Sequence, residues 1–499
     1  MRFLFCCEFY YPSVGGVQEV MRQIAERMVA RGHDVTVATS RLLNRDFSDH
    51  NGVKIAEFGV VGNNVRGIEG EVERYRDFVE SFVCDAILIK AAQQWTFDAL
   101  WPVLDNIQAR KVFIPCGFSG LYEPSYQDYF EKLPDILRKF DHLIFYAENY
   151  RDVDFARQHQ IEQFSILANG ASEVEFKVAQ DPGFRARHGI PKDSAVLLTV
   201  GSMTGVKGHR ELLEAFARLK TTRRHVTFIM NGNPPPKPVV IGKQGHSTLA
   251  SPVSAAHAAP PVIHEYPDFL TRLKKAWREE GLRGIWDRID LRLGLTRRTT
   301  KFIYLTQTIS GIVRTEGWLG IRLRLMQRLG PRLERSGLIR WMPASLKAFQ
   351  NPMSFWIAEA KKNPDHKMLI VADYPRDELI QAYMAADLFV FASNIEYSPL
   401  VLFEAAAAGT AFLTVPVGNA EEIARWTGAG IICPADKDMR GYTRAAPETL
   451  AREIACAIEN PARLEELGAA GRAAWEARYT WDHITGQYEA ILQGKPLST

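Results

Sequence analysis

Two carboxylates, Glu396 and Glu404, flank a proline in the stretch EYSPLVLFEAAAAGT, and carboxylates beside an alanine-rich apolar run could do chemistry. On one continuous helix they would lie about 12 Å apart along the axis and about 80° apart around it. This spacing does not predict a close acid/base pair. The alternative is a structural helix with two incidental surface glutamates, and the spacing alone leaves both interpretations open.

The proline predicts where the helix begins. A proline at the first helical position costs nothing, and a serine before it can cap the helix, so the pattern predicts Ser398 as N-cap and Pro399 as first residue. Gly409 is expected to end the helix. The free amides of Leu400 and Val401 would then form an anion site.

This division separates the two carboxylates. Glu396 belongs to a loop and Glu404 to the helix that follows it. Apolar runs of strand length, DLFVFAS (387–393) and AFLTVPV (411–417), lie on either side. The order is that of a βαβ unit whose loop opens beyond the carboxyl end of a strand, where open α/β sheets bind ligands.

The length of 499 residues exceeds what one hydrophobic core organises, so two or three domains are expected. The composition, 46% hydrophobic and 24% charged, is that of a soluble globular protein. The six cysteines lack C-x-x-C spacing, so we expect no disulfide scaffold or zinc site, and a reducing, cytoplasmic setting. The N-terminus MRFLFCCEFYYPSVGG predicts a strand rather than a signal peptide, and no run of about 18 apolar residues predicts a membrane span.

Positive charge is concentrated in one segment. Residues 264–350 contain 18 Lys and Arg against 8 Asp and Glu, a local net charge of +10, so the rest of the +3 chain carries −7. Arginines interleaved with Trp and Leu suit the surface of an anionic membrane, and a solvated helical insertion or a partner-docking arm is the alternative. Nucleic acid is not an expected partner, because the rest of the chain is acidic. The residues of this pattern are Arg297, Arg298, Arg322, Arg324, Arg328, Trp286, Trp318 and Leu319.

Strand and helix patterns alternate along the chain. The first series runs from RFLFCC through DVTVAT, DAILIK, KVFIP, HLIFYA and FSIL. The second starts at AVLLTVGSMTGVKGHRELLEAFARL and resumes at KMLIVADYPRDELIQAYMAADLFVFAS. This order predicts an α/β fold with two Rossmann-like, doubly wound domains that face each other across a ligand-binding cleft.

Composition indicates the domain boundaries. We predict a first domain over 1–170, ending in a hinge around Asn169 and Gly170, and a second domain over 171–232 and 366–480. Residues 233–365 interrupt the second domain with a Pro-, Ala- and Ser-rich linker followed by the basic insertion.

Two glycine-bearing loops could approach a phosphate. Gly15 and Gly16 precede a helical pattern, although a simple tight turn is an equally good interpretation. Lys207 lies in the corresponding loop VGSMTGVKG of the second half, where an ammonium could neutralise a diphosphate, although a lone lysine is usually solvated. The chain has no G-x-G-x-x-G, G-K-[ST] or H-E-x-x-H motif, which removes support for a dehydrogenase, a P-loop NTPase or a metalloprotease.

Taken in order, these pieces resemble the retaining glycosyltransferases of the GT-B fold, the family 4 type also called glycosyl transferases group 1. The similar pieces cover roughly 1–232 and 366–499, and the most specific is the E-x7-E stretch. They are YYPSVGGVQEV, RGHDVTV, LANGASEVEF, VGSMTGVKGHRELLEAFARL, AADLFVFASNIEYSPLVLFEAAAAGTAFLTVPVGNAEEI and TWDHITGQYEAIL.

The resemblance implies a nucleotide-sugar donor site in the second domain. Glu404 would bind the ribose, Glu396 would contact the sugar ring near the reacting centre, and the amides of Leu400 and Val401 would hold the diphosphate. Lys207 would stabilise the charge that grows on the leaving diphosphate.

Other residues would complete this site. The resemblance places Ser202 and Ser398 in the donor-binding set and implies that Gly15 and Gly16 close the site from the first domain. No metal or cofactor is required, because Lys207 and a helix N-terminus supply positive potential.

Two positions depart from the family pattern. Ser202 stands where members often have Arg, so part of the phosphate clamp would be missing or supplied elsewhere. Cys116 stands where many have a His that contacts the donor sugar, and a thiol is a poorer hydrogen-bond donor than imidazole. A small buried residue at a strand end is the favoured interpretation of Cys116 over a reactive thiol, and the resemblance keeps Cys116 as a possible contact of the donor sugar.

The resemblance thus implies transfer of a sugar, with retention of configuration, to a glycan or lipid-linked acceptor bound by the first domain, in cell-envelope polysaccharide or glycan biosynthesis. The C-terminal helix within 481–499 would pack back on that domain. A cytoplasmic protein, peripheral at the inner face of the membrane through 264–350, is expected. The alternatives are an epimerase or phosphorylase of similar fold, and a catalytically degenerate protein that binds sugar nucleotide or glycan and scaffolds an assembly.

Overall fold

The computed structural model describes residues 1–223, 225–232, 352–363, 365–438 and 440–497. The membrane contact predicted for 264–350 lies outside these residues. Within the described ranges, no helix is both long and apolar enough to cross a membrane.

The first sheet has eight strands in the order β10-β9-β8-β7-β1-β2-β4-β3, and every neighbouring pair is parallel except β3 and β4. From β1 the chain adds strands first on one side (β2, β4) and then on the other (β7 to β10), which makes the sheet doubly wound. Its strands are β1 (Arg2–Cys6), β2 (Asp34–Ser40), β3 (Asp49–His50), β4 (Val53–Phe58), β7 (Ala86–Lys90), β8 (Arg110–Ile114), β9 (His142–Phe145) and β10 (Phe164–Ile166). A separate hairpin joins β5 (Val60–Asn63) to β6 (Gly67–Gly70).

The second sheet has six parallel strands in the order β13-β12-β11-β14-β15-β16. The order again reverses at its first strand, β11. Its strands are β11 (Ser194–Val200), β12 (His225–Asn231), β13 (Lys367–Ala372), β14 (Leu388–Phe391), β15 (Phe412–Thr414) and β16 (Gly430–Ile432), and a short ribbon pairs β17 (Asp436–Lys437) with β18 (Thr443–Arg444).

Helices connect these strands. Those of the first series are α1 (Gly16–Ala30), α2 (Val72–Ser81), α3 (Trp95–Asp98), α4 (Gln127–Leu137) and α5 (Arg151–Gln158). The later ones are α6 (Glu173–Phe176), α7 (Phe184–Arg187), α8 (His209–Arg218), α9 (Pro352–Ala360), α10 (Arg376–Ala385), α11 (Leu400–Ala407), α12 (Ala420–Thr427), α13 (Pro447–Ile458), α14 (Pro461–Ala474) and α15 (Trp481–Leu492).

Both faces of the first sheet are buried, as expected for parallel strands. Side chains of β1 alternate between two cores, with Phe3 and Phe5 on one face and Leu4 and Cys6 on the other. The core under Phe3 and Phe5 is completed by α1 and by the last helix, α15. From these helices it takes Val20, Met21, Ile24, Met28, Trp481, Ile484, Tyr488 and Ile491.

The chain crosses between the two sheets twice, and the crossings lie side by side. Ala171 forms a parallel bridge with Thr480, and its amide donates to the carbonyl of Tyr479 at 3.0 Å. Gly170 fits there because a Cβ would lie 2.4 Å from that carbonyl oxygen. The predicted turn around Asn169 and Gly170 is thus one half of a double crossing.

A buried carboxyl in the first domain gives a pH-dependent prediction. Asp98 accepts hydrogen bonds from the Tyr129 hydroxyl at 2.7 Å and the Asn64 amide at 2.9 Å, and burial raises the pKa of Asp98 from 3.8 to about 6. The folded chain therefore binds a proton more tightly than the unfolded chain. Relative to Asp98→Asn, the free energy of unfolding of the wild type should fall by about 3 kcal/mol as pH rises from about 4 to about 6.

Urea unfolding of both proteins at several pH values measures this difference. Asp128→Asn, which changes an exposed carboxylate beside Tyr129, serves as control and should leave the pH dependence of the wild type unchanged. Parallel pH profiles for the wild type and Asp98→Asn would contradict the prediction.

Candidate functional site

The candidate site lies where the strand order of the second sheet reverses, between β11 and β14. Ligands of open α/β sheets bind at this switch point, beyond the carboxyl ends of the strands. The loop after β11 carries Lys207, and the loop after β14 carries Glu396. Because β11 and β14 are neighbours, the two side chains meet although 188 residues separate them in sequence.

Lys207 and Glu396 form an ion pair. The Lys207 Nζ lies 2.5 Å from Oε1 of Glu396, and the Ser393 hydroxyl donates to the same oxygen at 2.9 Å. Less than a fifth of either charged side chain is exposed, at 18% and 13%. An ammonium has three donors, so Lys207 can hold Glu396 and still donate to an anion in the cleft.

A close backbone approach fixes this pair. Gly208 has φ 70°, and a Cβ there would lie 1.9 Å from the carbonyl oxygen of Ala392 at the end of β14. The amide of Asn394 donates to the carbonyl of Val206 at 2.8 Å, which joins the two loops again. Glycine after the lysine therefore lets the loops touch, a role that sequence reasoning did not assign.

Glu404 lies in a separate charged cluster. It accepts from Arg376 at 2.7 Å and from the Tyr383 hydroxyl at 2.9 Å, and Arg376 also pairs with Glu175 at 2.8 Å. Glu396 and Glu404 thus have different partners and do not form an acid/base pair, as the spacing predicted. Sequence reasoning missed Arg376, because only the fold brings the first residue of α10 to α11.

The predicted cap of α11 was wrong. Pro399 has ψ 115° and is itself the N-cap, so the helix begins at Leu400, and Ser398 makes no side-chain cap. The Ser398 carbonyl accepts from Asn169 Nδ2 at 3.2 Å, and its hydroxyl is buried without a partner within the described residues. An extended proline turns Ser398 away from the helix axis, out of reach of its first amides.

The rest of the helix prediction holds. Gly409 has φ 74° and follows the end of α11, with the Thr410 amide bonded to the Ala405 carbonyl at 2.9 Å. Leu400 and Val401 are the first two helical residues, so their amides have no acceptor within the helix. They face outward at the positive end of the helix dipole.

The glycine turn of the first domain approaches this helix. Gly15 is the N-cap of α1, and a Cβ on Gly16 would lie 4.0 Å from Cδ1 of Leu400. The structure thus brings Gly16 next to α11, whereas the weak paired-glycine signal alone could not distinguish this from a simple turn.

Cys116 and Ser202 lie in loops at the carboxyl ends of β8 and β11. Cys116 has φ 61° and is only partly buried, packed against the core under Phe3 and Phe5. Desolvation raises the pKa of its thiol to about 11, which does not fit a reactive thiolate. The carbonyl of Ser202 accepts from the Thr204 amide at 2.8 Å. Their contact with a donor stays a prediction.

His209 is a further residue that sequence reasoning missed. It begins α8, only 2% of it is exposed, and neither ring nitrogen has a partner among the described residues. Burial, together with the charge of Lys207, lowers the pKa of His209 to about 4. The imidazole is therefore neutral near pH 7 and leaves Lys207 as the cation of this loop.

No group of three or more His, Cys, Asp or Glu side chains that could hold a metal occurs in the part of the chain that the structure describes. The absence of a required metal or cofactor stays a prediction.

Known proteins are similar to this chain in sequence and in fold. A model of the family "Glycosyl transferases group 1" matches residues 353–474. The lipopolysaccharide glucosyltransferase WaaG of Escherichia coli K12 is 26% identical over 235 residues, 45% of this chain and 61% of WaaG. The chain thus matches about three fifths of the length of this curated relative.

Two solved structures show the likeness of fold. Sucrose-phosphate synthase of Thermosynechococcus elongatus has a TM-score of 0.61 at 14% identity, with 99% of this chain and 98% of that chain covered. Anabaena HepE in complex with UDP and glucose has a TM-score of 0.54 at 14% identity, with 99% and 100% covered.

The two doubly wound sheets and the loops at the second switch point define a protein of the GT-B fold. Residues 353–474, which contain Glu396 and Glu404, are similar to the glycosyl transferases group 1 family.

The close approach at Gly208 can be tested by substitution. Gly205→Ala, at φ 80° with nothing within 4 Å of the added methyl, should cost about 1 kcal/mol of unfolding free energy from backbone strain alone. Gly208→Ala should cost clearly more, because its methyl also meets the Ala392 carbonyl. Chemical denaturation of both variants measures the difference, and equal costs would show that the two loops do not touch.

Proposed function

We propose that this protein is a glycosyltransferase that moves a sugar from a nucleoside diphosphate sugar to a glycan or lipid-linked acceptor, in cell-envelope polysaccharide or related glycan biosynthesis. The observation that carries the proposal is the Lys207–Glu396 ion pair at the switch point of the second sheet. The match of residues 353–474 to glycosyl transferases group 1 supports it, and so does the likeness to WaaG and to HepE, which was solved with UDP and glucose.

The donor would lie along α11. Its diphosphate would accept hydrogen bonds from the amides of Leu400 and Val401, where the helix dipole favours an anion. Its ribose would meet Glu404, which Arg376 and Tyr383 hold in place. Its sugar would meet Glu396, and Ser202, Ser398, Cys116 and the Gly15–Gly16 turn would complete the surroundings.

Lys207 would supply the main electrostatic assistance. As the bond between sugar and diphosphate breaks, negative charge grows on the leaving phosphate, and a positioned ammonium stabilises that charge. The pair with Glu396 holds Lys207 before reaction, so little reorganisation is needed when the charge develops.

Transfer would proceed with retention of configuration and without a protein nucleophile. Glu396 would not act as the nucleophile, because the Lys207 ammonium and the Ser393 hydroxyl on Oε1 draw negative charge away from its carboxylate. The leaving diphosphate would instead take the proton of the acceptor hydroxyl on the same face of the sugar. No metal would be needed, and the acceptor would enter from the first domain at the cytoplasmic face of a membrane.

Nucleotide binding can be tested through Glu404. UDP, GDP and ADP are added separately, and at least one should raise the thermal midpoint of the wild type, because a ligand at 100 times its Kd adds about 2.7 kcal/mol to the stability. Glu404→Gln should reduce this rise, whereas Glu421→Gln, an exposed carboxylate in α12, should not. If no nucleotide stabilises the wild type, the donor site is wrong.

Catalysis can be tested through Lys207. Donor turnover is followed by mass spectrometry of products from a nucleotide-sugar panel and cell-envelope lipids. Lys207→Gln should lower kcat about 10²- to 10³-fold, because it removes charge stabilisation of the transition state. Lys192→Gln removes an exposed lysine of the same domain and should keep the wild-type kcat. Equal rates in Lys207→Gln and wild type would refute the proposed role.

A further inference from the structure

Tyr397 links the candidate donor loop to the other domain. It directly follows Glu396, is only 9% exposed, and packs among side chains of the first domain. Its hydroxyl accepts from the amide of Tyr146, after β9, at 2.9 Å, and burial together with the nearby carboxylate of Asp152 in α5 raises the pKa of this hydroxyl. The Tyr397 hydroxyl thus finds its hydrogen-bond partner in the first domain, whereas Glu396 belongs to the second.

Asp152 extends this link to the loop after β8. It is fully buried, and Oδ2 accepts from the amide of Gly117 at 2.8 Å, while Oδ1 accepts from the amide of Val153 at 3.0 Å. A buried carboxylate is retained only where donors compensate its loss of hydration. Asp152 therefore holds the Cys116–Gly117 turn, and Gly117 lies against the ring of Tyr397, the residue after Glu396.

The backbone of Glu396 is held from the same side. The Tyr150 hydroxyl donates to the Glu396 carbonyl at 2.9 Å, and the rings of Tyr150 and Tyr397 lie 4.9 Å apart. Gly117 lies between them, since a Cβ there would be 3.0 Å from one ring and 3.1 Å from the other. The loop from β14 to α11 contains no regular structure, so these contacts restrict it.

We propose that Tyr397 and Asp152 are positioning residues that fix the carboxylate of Glu396 against Lys207, so that the donor-sugar end of the site is set only while the first domain holds the loop. This inference rests on the proposed function. It assigns the diphosphate and ribose end to Leu400, Val401 and Glu404, and among the described residues none of these three is hydrogen-bonded to Tyr397 or Asp152. Breaking the link should therefore lower the rate without weakening nucleotide binding.

The test compares Tyr397→Phe with the wild type. The variant keeps the ring and removes only the hydroxyl, and a small misplacement of a reacting group costs up to about 10² in rate. We expect kcat for sugar transfer to fall at least about tenfold, while the Kd for the nucleoside diphosphate changes less than about twofold. Asp152→Asn should lower kcat to a similar extent. The double variant should lower kcat little more than either single substitution does.

Tyr488→Phe is the matched control. It removes a hydroxyl from the same buried layer, 3.2 Å from the Tyr146 hydroxyl, and touches neither Asp152 nor the donor loop. It should keep the wild-type kcat. A loss of rate in Tyr488→Phe equal to that in Tyr397→Phe would show a general effect of the buried layer and overturn the positioning role.

The outcomes separate this inference from the proposed function. If the wild type turns over a donor and Tyr397→Phe has normal kcat, the positioning role is wrong and the proposed function stands. If the wild type turns over no donor, the proposed function fails. Hydrogen exchange followed by mass spectrometry then tests whether Tyr397 joins the donor loop to the first domain. Faster exchange of 393–401 and 144–152 in Tyr397→Phe, but not in Tyr488→Phe, supports it, and unchanged exchange overturns it.

Discussion

The candidate site depends on the adjacency of β11 and β14 and on the backbone contact between their loops. Reversal of strand order at β11 places the two loops side by side, and Gly208 lets one loop touch the Ala392 carbonyl at the start of the other. A side chain at that position would push the loops apart. The Lys207–Glu396 pair, the start of α11 and the approach of the first domain all follow from this contact.

The two carboxylates of the E-x7-E stretch illustrate how one short segment serves two environments. Glu396 sits on irregular backbone and is held by a lysine, a serine and, through its neighbour Tyr397, the first domain. Glu404 sits on a regular helix and is held by Arg376 and Tyr383 of the second domain alone. One end of the site therefore depends on how the domains meet, whereas the other end is built within a single domain.

Much of this could be predicted from the sequence, because it depends on local patterns. Strand and helix periodicity gave two doubly wound sheets, and Gly409 ended α11 where a left-handed residue was needed. The prediction of Ser398 as N-cap was wrong because a serine before a proline does not determine whether the proline is helical. The link between Tyr397 and Asp152 could not be found, because its members are 245 residues apart and neither belongs to a recognisable motif.

The position of α15 in the sequence affects how the first domain folds during translation. This helix is translated long after the strands of the first sheet, yet its Trp481, Ile484 and Tyr488 complete the core under β1, and Arg31 of the first domain pairs with Glu489. At about 5–20 residues per second, the ribosome needs tens of seconds between finishing β10 and releasing α15. During that time the nascent first domain exposes an apolar face, which stays open to other proteins until α15 emerges and covers it.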